Sequence, residues 1–267
     1  MDPSWFKVIA AALGSGLFLK LLDISHSELR RKKEHSETVK EFVDDHLDPI
    51  LKSADELVGK LRNLAMEDFS SLKKIQMENE KYENADLTSL LFLISKFWAH
   101  IEILRAESVA IKIGKDKRGQ QLQNFINSLE SRKVRIVDRI TQRAIGEILI
   151  SIRSEKLETI KFIEFVNLIE NDAMAKRWLE PLVQIVSRTS HTNERQQLLQ
   201  YGVIVHALID TLDPEHISTR QRPSYPSKLS KKTWTGLNYR IFGHYLKCVE
   251  QTAKYLGPPK AGGPKKR

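Results

Sequence analysis

Leu90-Leu91-Phe92-Leu93-Ile94-Ser95-Lys96-Phe97-Trp98-Ala99-His100-Ile101-Glu102-Ile103-Leu104-Arg105 is the densest apolar run in the body of this chain. Leu90, Leu91, Ile94, Phe97, Trp98, Ile101, Leu104, Ala106 and Val109 recur at helical spacing and cover more than one face. The stretch therefore reads as the central helix of an all-α bundle, opening near Asp86 or Thr88 and stopping at Gly114-Lys115-Asp116-Lys117. Lys96, His100, Glu102 and Arg105 punctuate it too often for a membrane span.

Working outward toward the N-terminus, Asp48-Pro49 pairs a capping side chain with proline at a first helical position. Ile50, Leu51, Ala54, Leu57, Val58, Leu61 and Leu64 then form one apolar face. That helix is expected to run past Phe69 and Leu72 into a polar loop at Glu78-Asn79-Glu80-Lys81. Toward the C-terminus, helical spacing marks 122–129, 134–149, 160–169, 178–186 and 198–212, with Pro181 in a first turn or at a kink and a stop at Asp213-Pro214. Residues 216–226 read as loop, and Trp234, Tyr239, Phe242 and Tyr245 belong to a last helix with an aromatic face. No segment has the period of a strand. The bundle is thus expected over 48–213, a loop and basic aromatic helix over 214–256, and a disordered basic tail over 257–267.

The chain opens differently. Residues 5–22 are apolar except for Lys7 and Lys20, which lie near enough to the ends to snorkel. That length is close to the lower limit for crossing a hydrocarbon core of about 30 Å. The span reads as a single transmembrane anchor within 1–24, followed by a polar juxtamembrane stalk helix over 25–47. Arg30-Arg31-Lys32-Lys33 follows the apolar run, so the positive-inside rule puts the N-terminus outside and the body in the cytosol, at the inner (cytoplasmic) membrane. The basic cluster comes after the apolar run, unlike that of a signal peptide, and no small-x-small cleavage site precedes the polar segment. A helix lying on the membrane surface, or a buried core helix, are the rival readings, because residues 8–19 alone are strictly uncharged.

Gly (12) and Pro (9) are sparse, and most of the Pro and several of the Gly lie after residue 213, which leaves the body nearly free of helix breakers. Cys248 is the single cysteine and excludes an internal disulfide or a Cys-based zinc site. The eight histidines form no HExxH and no i,i+4 pair, so no metal or other cofactor is expected; His100 and His206 read as hydrogen-bonded core residues. No GxSxG, P-loop or dinucleotide fingerprint is present. The net charge of +9 is uneven. From Glu215 onward twelve Lys and Arg face only Glu215 and Glu250, which leaves the rest of the chain near neutral.

Four stretches carry a resemblance: Asp48-Pro49-Ile50-Leu51 with Leu61-Arg62-Asn63; Trp98 with Glu102-Ile103-Leu104-Arg105; Gln142-Arg143-Ala144-Ile145-Gly146-Glu147; and Leu208-Ile209-Asp210-Thr211-Leu212-Asp213-Pro214. Over residues 48–214 the chain resembles an uncharacterised group of bacterial helical proteins. The resemblance implies a bacterial source and an α-helical fold, and it carries no catalytic residue over.

Two constellations stand out. Glu102 and Arg105 share a face with Trp98, and Gln142, Arg143 and Glu147 lie on another amphipathic helix. Pairs such as Glu102–Arg143 or Arg105–Glu147 would make either a register-fixing salt-bridge network or a polar pocket with Glu102 or Glu147 as a general base. In the second, Lys231, Lys232, Arg240, Lys247 and Lys254 interleave with Trp234 and other aromatics. That pattern suits anionic lipid, with nucleic acid or an acidic protein as alternatives, or a solvated basic face without a partner. The expected function is a membrane-anchored interaction or scaffold protein whose basic C-terminal region contacts anionic lipid. A nucleic-acid-binding effector or an enzyme built around Glu102/Glu147 are the alternatives.

Overall fold

A computed structural model describes residues 17–73 and 82–258. The chain is mostly helical: α1 (Leu17–Met66), α2 (Ser70–Lys73), α3 (Ala85–Glu107), α4 (Lys117–Leu129) and α5 (Arg139–Ile148) precede a hairpin of β1 (Ile150–Arg153) and β2 (Lys156–Thr159). Then come α6 (Phe162–Asn171), α7 (Ala173–Ser187), α8 (Thr192–Leu212), α9 (Lys231–Thr235), a π-helical segment (Gly236–Tyr245) and α10 (Thr252–Leu256). The polar loop expected at 78–81 lies outside the described residues, as do most of the anchor and nearly all of the tail.

The central helix is α3. The Asn84 side chain caps it by accepting from the Leu87 amide at 2.9 Å. It packs against α1, α5, α6, α7 and β2, so its apolar residues are buried on nearly every side. Each such Leu, Ile or Phe contributes about 1.5–3 kcal/mol. At its middle the Trp98 indole donates to the Tyr201 hydroxyl on α8 at 2.7 Å, and both rings are fully buried. Among the described residues α3 is the one helix long and apolar enough to cross a membrane, but 78% of its apolar window is buried within the fold. Its apolarity is that of a core. Gly146 lets α5 approach it closely, since a Cβ there would stand 3.0 Å from the Trp98 carbonyl.

No helix begins at Asp48-Pro49. Instead α1 continues through it, and Val39, Val43 and Leu47, residues of the expected stalk, are buried in the core. Proline in a helix interior forfeits one backbone bond, at a cost near 3 kcal/mol. Buried Val43, Leu47, Ile50, Leu51 and Ala54 around it offset that cost. Asp48 does not cap but pairs with Lys52 at 2.7 Å, and that bond holds its carboxyl below the usual value.

At its other end α1 does not run to Leu72. It closes at Met66 with a Phe69 amide bond to the Leu64 carbonyl at 2.7 Å, and both Asp68 and Phe69 are left-handed (φ 51° and 58°). Such a closure usually uses glycine, whose absence hid it in the sequence. Burial of Phe69 and Leu72 beneath the turn offsets the strained backbone. Farther along, α3 ends at Glu107, leaving Ala106 and Val109 exposed. Val134, Ile136 and Val137 are buried on an irregular stretch before α5, whose start is set by the Asp138 cap. Pro181 lies well inside α7.

The hairpin was not expected. Ile150 pairs with Thr159 and Arg153 with Lys156 around a two-residue turn at Ser154 (φ 48°) and Glu155 (φ 63°). A turn of this hand favours Asn-Gly, and Ser-Glu carries none of that signal. The last expected helix is also broken. The Ser230 side chain caps α9, and the chain then widens, with the Leu246 amide bonding the Ile241 carbonyl five residues back at 2.8 Å.

Candidate functional site

The first constellation is assembled, but around a residue the sequence did not single out. Glu130 ends α4, its side chain 4% exposed, and receives Arg105 from α3 at 2.5 Å and Arg139 and Arg143 from α5 at 3.0 and 3.5 Å. Arg105 also bonds Glu102. Burial raises the Glu102 carboxyl above its usual value, against the opposing charges of Arg105 and Arg143. Gln142 is buried beside this set, its Oε1 without a partner among the described residues. Glu147 is exposed, so the expected Arg105–Glu147 pair is not made, and the Arg143 ion pair goes to Glu130 instead of Glu102. In sequence Glu130 is one acid beside Arg132, Lys133 and Arg135; only the arrival of α3 and α5 surrounds it with arginines. The arrangement is a bundle-locking network, and three clefts of about 360–710 Å³ elsewhere on the molecule are lined by other residues.

The second constellation divides. Trp234 is buried, its indole donating to the Leu256 carbonyl at 3.0 Å, so it belongs to the core. Lys254 is spent on Asp210 at 2.6 Å. Lys231, Lys232, Arg240 and Lys247 are exposed and have no ion pair among the described residues. Along the π-helical segment, Leu237, Ile241 and Phe242 are buried while Tyr239, Arg240, Gly243 and His244 are exposed. With roughly four to five residues per turn, those four share one stripe, and Tyr245 flanks it. Tyr239 and Tyr245 are 40% and 54% exposed.

What holds this basic segment to the bundle is a cluster at the end of α8. Asp210 accepts from Lys254 Nζ at 2.6 Å and from the Tyr255 hydroxyl at 2.5 Å, with His206 and His216 at 3.6 and 3.4 Å. Burial lowers the His206 pKa more than Asp210 raises it, which keeps that imidazole neutral at pH 7. Burial, together with Asp210, also raises the Tyr255 phenol, which stays a donor. Arg222 makes a second strap, bonding both Asp55 oxygens on α1 at 2.6 and 3.0 Å. Beside Asp210 lies a polar cleft of about 420 Å³ that includes Cys248, whose thiol burial pushes up and leaves protonated. Lys228 pairs with Asp68 at 2.8 Å, so the segment starts beside the C-terminal pole of α1. Its far end comes back to the end of α8 through Lys254 and Asp210, and there Leu212 and Asp213 share a cleft with Asp44, Leu47 and Asp48 in the middle of α1.

The largest of those three clefts, about 710 Å³, lies where α1, α3 and β2 meet. His46 faces the Phe42 carbonyl at 2.9 Å and the Glu107 carboxylate at 2.6 Å. His100 lines the same cleft without a hydrogen-bond partner among the described residues, unlike the bonded core residue expected. Burial, and then Lys96, lowers its pKa to about 4. Among the described residues no three His, Cys, Asp or Glu side chains form a metal-holding group. No protein family, curated protein or solved structure matches the chain.

Proposed function

We propose that this chain is a bacterial inner-membrane interaction scaffold. Residues 5–22 tether it, the body stands in the cytosol, and the basic segment at 231–247 is its contact surface for an anionic partner. One observation carries the reading: α1 runs without a break from Leu17 into the core at Val39, so any tether at its start is rigidly joined to the bundle. Residues 23–38 alone would set the body about 24 Å from the bilayer.

That helix also bears on the partner. If α1 stands upright, the basic segment lies between the levels of Asp44 and Asp68, about 35–70 Å beyond Leu22 at 1.5 Å per residue. Charges are screened over roughly 8 Å at physiological salt. Contact with anionic lipid of the same membrane therefore requires α1 to lie along the bilayer, and an upright α1 presents the cations to a soluble partner.

Membrane fractionation tests the tether. Full-length chain and a chain starting at residue 37, which keeps buried Val39, Val43 and Leu47, are washed at low and high salt. The full chain is expected to resist both washes and the shortened chain to be soluble. A full chain that washes off sinks the reading. A shortened chain that pellets only at low salt would mean that the basic segment rests on lipid.

A further inference from the structure

We propose that the exposed face of residues 231–247 binds single-stranded nucleic acid, with cations on phosphates and Tyr239 and Tyr245 stacking on unpaired bases. This deepens the scaffold reading by naming the class of its anionic partner.

Three observations on the molecule converge. The charge is available: Lys231, Lys232, Arg240 and Lys247 have no acidic partner among the described residues, whereas Lys228 and Lys254 at the ends of the same segment do. Neighbouring ion pairs therefore strap the segment down and leave its middle cations open. The aromatic surface is available too, since Tyr239 lies beside Arg240 on one stripe and Tyr245 borders His244 at a ring distance of 4.9 Å. Inorganic phosphate would give the tyrosine rings no role, whereas every base offers a π-face; against lipid, an upright α1 holds this face out of reach of the bilayer. Third, the backbone is of an unusual kind. A ten-residue π-helical run is rare, and such widened turns gather at functional sites. Here it brings Tyr239, Arg240 and His244 together on one side while Leu237, Ile241 and Phe242 anchor the other. Duplexes hide their base faces, which makes an unpaired strand the better fit.

The test uses full-length chain in zwitterionic detergent and the fluorescence anisotropy of a labelled oligouridine, with a duplex of equal length as control. The single strand is expected to bind more tightly than the duplex, and affinity is expected to fall with salt. Replacing both Lys231→Gln and Lys232→Gln should make the slope of log K against log salt about 1.4 shallower, at roughly 0.7 per lost phosphate contact. Tyr239→Ala and Tyr245→Ala should each weaken binding roughly tenfold and leave that slope unchanged. All four side chains are exposed, so the melting temperature should hold and report intact folding. Binding that ignores the tyrosine changes, or favours the duplex, would overturn the proposal. So would an oligonucleotide that fails to bind while phosphatidylglycerol vesicles do, which would make the face a lipid surface. None of these outcomes bears on whether the full chain resists the washes, so the tether stands or falls separately.

Discussion

The network around Glu130 and the face at 231–247 are both written in arginine and lysine among aromatic and apolar residues, yet they do opposite things. In the network, three arginines converge on one buried carboxylate and a second carboxylate, Glu102, shares Arg105. On the C-terminal face, four cations stand in solvent without a partner among the described residues. The difference teaches that a cation's role is set by what the fold brings against it. A buried pair locks helices together, because either charge left alone inside the protein is costly. An unpaired surface cation does little for stability and stays available for binding.

Mutation sharpens that contrast, beginning with the largest effect. Glu130→Ala removes the buried carboxylate that three partly exposed arginines share and should cost about 3 kcal/mol in urea unfolding, the lower end for a broken buried pair; a loss under 1 kcal/mol would show that water satisfies those arginines. Next comes pH. His100 is held neutral with a folded pKa of about 4 against an unfolded value near 6.5. The unfolded chain therefore takes up the proton first, and stability falls as pH drops from 6.5 toward 4, by up to about 3 kcal/mol. Burial of His206 acts in the same direction, whereas the raised Glu102 carboxyl contributes the opposite slope as pH rises through its folded value. His100→Gln should flatten the acid limb of a pH–stability curve, and an unchanged limb would mean that other groups carry it.

Tyr201→Phe leaves the buried Trp98 indole without an acceptor and should cost about 1–3 kcal/mol by the same unfolding assay. Converting the hairpin turn to Asn-Gly (Ser154→Asn with Glu155→Gly) relieves two left-handed residues and should raise stability by about 1 kcal/mol; a loss would place the turn in another conformation. Last, Lys231→Gln with Lys232→Gln should shift stability by less than about 0.5 kcal/mol. A large loss there would erase the contrast between the two regions.

The long-range organisation of the bundle was legible where periodicity was long. Leu90 to Leu104 identified the central helix because a run apolar on several faces must be surrounded by protein. Asp213-Pro214 ended α8 as read. What escaped were features lacking their usual local residues: a left-handed turn at Asp68-Phe69 without glycine, and a hairpin turned by Ser-Glu. Pro49 misled in the opposite direction. Its local signal favoured a helix start, and burial on both sides of it outweighed one missing backbone bond.

By itself, the sequence determined the helical class, the central helix, the uneven charge and the apolar start, since each depends on composition or on spacing within one segment. Only the tertiary structure decided that Glu130 is the hub of the arginines, that Trp234 is core and Lys254 a strap, and that Lys231, Lys232, Arg240 and Lys247 stay exposed, unpaired among the described residues. Those outcomes depend on which distant residues meet, and the number of possible meetings far exceeds what spacing along one chain can rank. Burial then assigns each charge its role, because the low dielectric of the interior makes an unpartnered charge costly there and inexpensive in water.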